Sequence, residues 1–127
     1  MSLLESVARR TSFVSEEMLL EEVASLIADS DAGVVGVTRE GKIVGTITHH
    51  DLLTKTTALG HDLANARAKH VMSYRPTIIE LSVDDSDLID AAITMQRNNA
   101  HYAIVTSSGV PIGVISYGVL MHYNLGA

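Results

Sequence analysis

Residues 20–52 read LEEVASLIADSDAGVVGVTREGKIVGTITHHDL, and residues 88–120 read LIDAAITMQRNNAHYAIVTSSGVPIGVISYGVL. Displaced by 68 positions, the two stretches align without a gap. Leu20, Val23, Ala24 and Ile27 fall on Leu88, Ala91, Ala92 and Met95. Both sets keep the i, i+3, i+4, i+7 spacing of one helix face. Further on, Val37 and Thr38 fall on Val105 and Thr106, and Gly41 and Gly45 on Gly109 and Gly113. Ile47, Thr48 and Leu52 then meet Ile115, Ser116 and Leu120. Two copies are too few for a solenoid array, so the period reads as a duplicated half. Each half is small enough to be marginal alone, which predicts that the two bury apolar faces against each other.

Working outward, each copy predicts the order β-α-β-β-α. Thr11–Val14 and Thr77–Leu81 are short β-branched and apolar runs, read as strands. Helices are expected over Leu19–Ala28 and Ser86–Asn98. Glu16 and Glu17 lie near the start of the first, and Asp84, Asp85 and Asp87 near that of the second, where acids favour both capping and the helix dipole. Val34–Thr38 and Ile43–Ile47 flank Arg39, Glu40 and Gly41, and Tyr102–Thr106 and Ile112–Ile115 flank Ser107, Ser108 and Gly109. A short Gly-containing polar segment between two apolar runs is a hairpin signal. Closing helices are expected near His50–Ala58 and Gly118–Tyr123. Between the copies, Gly60 reads as a helix stop and Asp62 as the cap of a short helix through Lys69. The fold class is therefore α/β (α+β). An extension at 1–9, a first repeat at 10–58, a linker at 59–70 and a second repeat at 71–127 are expected.

Composition narrows the function. Of 127 residues, 46% are hydrophobic and 19% charged, a profile that supports a packed interior. No apolar run is long enough to cross a membrane. The first residues carry Glu5 too early for a secretory leader. Cysteine is absent, which removes disulfides, thiolate metal sites and thiol nucleophiles and fits a cytoplasmic setting. The net charge of −6, with scattered basic residues, argues against general nucleic-acid binding. Aromatic residues at 4% leave no stacking platform for single strands. His49 and His50 are adjacent, so on a helix they point about 100° apart. His61, His70, His101 and His122 share no ligand spacing, so no metal is expected. No nucleophile–base set, G-x-S-x-G or P-loop is present, so the chain reads as non-catalytic.

Taken together, A-G-V-V-G-V-T-R-E-G-K-I-V-G-T-I-T-H-H-D-L-L and A-H-Y-A-I-V-T-S-S-G-V-P-I-G-V-I-S resemble the CBS domain, the cystathionine-β-synthase repeat. Val71, Met72, Ser73 and Pro76 resemble the lead into a second repeat. The resemblance covers about residues 10 to 125 and leaves nothing substantial for a catalytic domain. It implies a CBS pair, or Bateman module, of two β-α-β-β-α repeats packed with pseudo-twofold symmetry. It further implies an adenosine-containing ligand such as AMP, ADP, ATP or S-adenosylmethionine in clefts between repeats, with no required cofactor. A homodimer that regulates a separate protein is the implied assembly.

Within that frame, Gly45-Thr46-Ile47-Thr48-His49-His50-Asp51 resembles the family's ribose-phosphate motif. A strand ends and a helix begins here, so free backbone N–H groups can face an anion. Thr48 can cap the helix or bond a phosphate, and the Asp51 carboxylate can accept both ribose hydroxyls. The same Thr-x-x-Asp spacing equally describes a capping box that only stabilises the helix start. In the second copy Ser116 keeps the hydroxyl, but Val119 replaces the acid. At most one site of this type is therefore expected, around Asp51. His101 precedes a strand and by resemblance can reach phosphate, or is simply a surface histidine. Thr77 and Ile78 line an adenine pocket by resemblance, or pack in the core. Arg75 is a phosphate partner or a solvated charge.

Overall fold

The computed structural model describes residues 11–30, 33–81 and 87–125. They form two compact units, one of Thr11–Pro76 and the other from Thr77 onward. In the first, strand β1 (Phe13–Ser15) leads to helix α1 (Leu20–Ala28), then to strands β2 (Val34–Arg39) and β3 (Lys42–Thr48) and helix α2 (His49–Leu59). A 3-10 turn (Gly60–Asn65), a short helix α3 (Ala68–Val71) and strand β4 (Ser73–Tyr74) complete it. The second has β5 (Ile78–Glu80), α4 (Asp87–Arg97), β6 (Tyr102–Ser107), β7 (Val110–Ser116) and α5 (Tyr117–Leu125). The β-α-β-β-α order occurs in both.

The sheets run β1-β2-β3-β4 and β5-β6-β7. In each, the first strand is parallel to the second and the second antiparallel to the third. The middle strands have neighbours on both sides and read as continuous apolar runs. Val34 to Val37 and Ala103 to Thr106 are all buried, as expected of strands covered on both faces.

The repeat extends to fine backbone detail. Glu40 and Gly41 have φ of 52° and 79°, and Ser108 and Gly109 have 50° and 78°. Two successive left-handed residues make the tight turn whose twist matches that of the flanking strands. Each hairpin also slips register once. Val37 faces Gly45 but Thr38 faces Ile43, which leaves Val44 unpaired. In the second unit Val105 faces Gly113 but Thr106 faces Pro111, which leaves Ile112 unpaired. Both bulges fall at equivalent positions of the two copies.

Each unit has its own apolar core. Val14, Leu20, Val23, Ile27, Val37 and Ile47 pack with Val71 and Met72 in the first. Ala91, Met95, Ala103, Val105, Ile115 and Leu120 pack in the second. A fully buried side chain of the Val, Leu or Ile class contributes roughly 1.5–3 kcal/mol. The helical spacing read from Leu20, Val23 and Ile27 is thus the spacing that builds the core.

The expected helix from Asp62 to Lys69 is not continuous. The chain passes through the 3-10 turn, and α3 begins only after Arg67, whose N–H donates to Nδ1 of His70 at 2.8 Å. The break has a purpose in the hydrogen bonding. Ala66 O accepts the Leu20 N–H at 2.9 Å, and Ala68 N–H donates to Met18 O at 2.9 Å. The connecting segment thereby supplies a backbone acceptor at the start of α1.

Glu16 and Glu17 do not cap α1 as expected. Glu16 pairs with Arg39, and Glu17 with Lys69 at 2.7 Å. The acids in the first turn are Glu21 and Glu22. Gly60 does end α2, with φ of 57°. Asp84 and Asp85 lie outside the described residues, as does the side chain of Asp87.

Candidate functional site

The centre of the site is the junction of β3 and α2. Thr48 has extended backbone and accepts the Asp51 N–H on its hydroxyl at 3.2 Å. Asp51 reaches back, and its Oδ2 accepts the Thr48 N–H at 3.0 Å. The two bonds are reciprocal, so the capping box is formed. The Thr48 hydroxyl also donates to the same oxygen at 3.2 Å.

The other oxygen of Asp51 faces different groups. Oδ1 accepts the Ser73 hydroxyl at 3.0 Å and lies 3.2 Å from the Lys55 ammonium. Lys55 in turn donates to Ser73 Oγ at 3.2 Å. Asp51 is only 6% exposed, whereas the Lys55 side chain is 39% exposed. A carboxylate this buried needs such partners, because an unpaired buried charge is expensive. Oδ2 is committed to the helix cap, and Oδ1 is held by two side chains.

Gly45 sets the distance between these groups. β4 pairs with β3 through Gly45–Tyr74 and Thr46–Ser73. A Cβ added at Gly45 would lie 2.7 Å from the Ser73 carbonyl oxygen and 2.9 Å from Met72 Sδ. Only a glycine lets β4 come this close, and β4 carries Ser73 to Asp51.

Gly45, Thr48 and Asp51 are thus gathered in the first unit. Arg75 lies just beyond β4 in that unit, exposed and with φ of 59°. Thr77, Ile78, His101 and Ser116 belong to the second unit. Ser116 Oγ accepts the Val119 N–H at 3.1 Å, the counterpart of the Thr48–Asp51 cap bond. Val119 has no carboxylate to return the bond, so half the box remains. The exposed His101 accepts the Tyr117 N–H on its carbonyl at 2.8 Å. Thr77 is buried, and its hydroxyl accepts from Asn98 Nδ2 at 3.2 Å. Ile78 is 46% exposed.

Lys55 and Ser73 were not among the residues expected from sequence. Lys55 stands four positions after Asp51, a spacing that brings helical side chains together. Ser73 is 22 positions away and is delivered only by the pairing of β4. Among the described residues, no group of three or more His, Asp or Glu could hold a metal ion. Among them too, no helix is long and apolar enough to cross a membrane.

The second unit has its own carboxylate knot. Glu80 accepts from Thr106 Oγ1 at 2.8 Å, Ser108 N–H at 2.7 Å and Gly109 N–H at 2.9 Å. The Gly109 N–H, the Thr106 hydroxyl and the Ser108 N–H hold its carboxyl below the usual glutamate range. Glu17 is likewise lowered, first by its hydrogen bond from Lys69.

The CBS domain family model matches residues 4–56 and again 68–126. The chain belongs to the CBS domain family. It carries two copies of the repeat in tandem, as the 68-residue offset implied. It is similar to the CBS domain-containing protein YhcV of Bacillus subtilis, at 24% identity over 94% of this chain and 82% of that protein. Its fold is shared with the CBS domain of the bacterial CNNM/CorC family Mg2+ transporter, solved in complex with ATP. That match has a TM-score of 0.76 at 20% identity and covers 98% of this chain and 88% of the other. CBSX2, solved in complex with AMP, superposes with a TM-score of 0.71 at 16% identity over 99% and 98% of the two chains.

Proposed function

We propose that this CBS pair is a non-catalytic regulatory module that binds an adenosine-containing ligand at the first repeat, around Asp51. The ligand class is AMP, ADP, ATP or S-adenosylmethionine. The single observation that carries the reading is the division of labour on Asp51. Oδ2 holds the helix start, while Oδ1 is met by the Ser73 hydroxyl and the Lys55 ammonium. The two hydroxyls of a ribose supply the same number of donors and can replace them one for one, leaving the cap intact. The free N–H groups at the start of α2 then favour an anion nearby. Solved relatives with ATP and AMP bound support the ligand class. In the second repeat Val119 offers no acceptor, so one site of this type per chain is proposed. Binding would shift the geometry of the module, and a homodimer in the cytoplasm would pass that shift to a separate protein.

The closed capping box favours a second reading, a dimerisation scaffold in which Thr48 and Asp51 serve only the helix. Thermal melts with each of the four ligands separate the two, using wild type and Asp51→Asn. At about 100 times the dissociation constant, binding stabilises by roughly 2.7 kcal/mol. A clear upward shift in wild type, lost in Asp51→Asn, is the expected result. No shift with any of the four leaves the scaffold. A shift that survives the substitution moves the site elsewhere, and nucleotide turnover would make the protein an enzyme.

A further inference from the structure

We infer that Lys55 makes the proposed site selective for a phosphorylated nucleoside over the bare nucleoside and over S-adenosylmethionine. This rests on the ligand reading given above and deepens it. The other cations paired in the first unit, Arg39, Arg67 and Lys69, meet the glutamates Glu16 and Glu17. Lys55 instead pairs with a carboxylate that is 6% exposed. A ribose diol that takes Oδ1 of Asp51 displaces this ammonium, and the ion pair is broken. A phosphate carried by the same ligand restores a counter-charge to Lys55, through a charge-assisted bond about twice as strong as a neutral one. Adenosine brings the diol and no counter-charge. S-adenosylmethionine brings a net cation to a place where an ammonium has just been released. Lys55 therefore competes against every diol and rewards only the anionic ones. Its half-exposed side chain, with a four-carbon stem, is free to make that exchange.

The test is isothermal titration of AMP, adenosine and S-adenosylmethionine into wild type, Lys55→Met and Lys55→Arg, each checked for native circular dichroism. Wild type should prefer AMP to adenosine, and Lys55→Met should reduce that preference by about tenfold or more. The same change should strengthen adenosine binding, because the competitor for Oδ1 is gone. Lys55→Arg keeps the charge and should keep the preference for AMP. An unchanged AMP-to-adenosine ratio in Lys55→Met, with AMP still bound, overturns the role of Lys55 and leaves the ligand reading standing. Absence of binding by all three ligands to every variant overturns both.

Discussion

The Ser73 hydroxyl donates to Oδ1 of Asp51 at 3.0 Å, and this bond ties the last strand of the first sheet to the first turn of α2. Ser73→Ala removes one bond to a buried charged acceptor and should destabilise by about 1.5–3 kcal/mol. Asp51→Ala removes the cap as well and should be the more damaging of the two. Urea denaturation followed by circular dichroism gives both values. Equal stabilities of Ser73→Ala and wild type would mean that the bond adds nothing to the fold.

Gly45 and Gly118 should respond in opposite directions to alanine. At Gly45 the new methyl would meet the Ser73 carbonyl at 2.7 Å, a backbone atom that can move only with β4. Overpacking of this kind costs about 1–3 kcal/mol, and faster amide exchange at Ser73 and Tyr74 should accompany it. At Gly118, within α5, nothing lies within 4 Å of the added atom, so Gly118→Ala should stabilise by roughly 0.5–1 kcal/mol. Gly45→Ala matching wild type in stability and exchange would show that β4 does not need the close approach.

Glu80 makes the second unit sensitive to acid. Its folded-state pKa lies below the ordinary value because the Gly109 N–H, the Thr106 hydroxyl and the Ser108 N–H bond the carboxylate. The group therefore stabilises the fold above the ordinary glutamate pKa of about 4.3. That contribution disappears as pH falls through the lower, folded value. Glu80→Gln should flatten the loss of stability between neutral pH and about pH 3, an effect read from melts across that range. An identical acid limb in the variant would assign the sensitivity to other carboxylates, Glu17 among them.

Much of this architecture was legible because a duplicated sequence checks itself. Gly41 and Gly109 marked two turns in register, and the structure gives those turns matching φ values. Leu20, Val23 and Ile27 showed which face of α1 is buried. The Thr48-x-x-Asp51 spacing was equally plain, and the cap it describes is formed.

What stayed hidden depends on contacts distant in sequence. β4 is two residues long, too short for a hydrophobic period, and its place comes from pairing with Gly45 and Thr46. Ser73 reaches Asp51 only through that pairing. Glu16 and Glu17 misled for a related reason. Arg39 and Lys69, 23 and 52 positions away, compete for them more effectively than the nearby helix terminus.

The twin bulges at Val44 and Ile112 restrict how this gene can change. Side chains along a strand alternate between inside and outside, so each extra residue resets which half of β3 and β7 faces inward. Loss of the Val44 or Ile112 codon would leave the flanking pairs in place but make the ladder regular, removing the local bend and added twist that the extra residue gives each strand. Related chains should therefore keep these two hairpins at constant length and confine their insertions and deletions to the segments between secondary-structure elements.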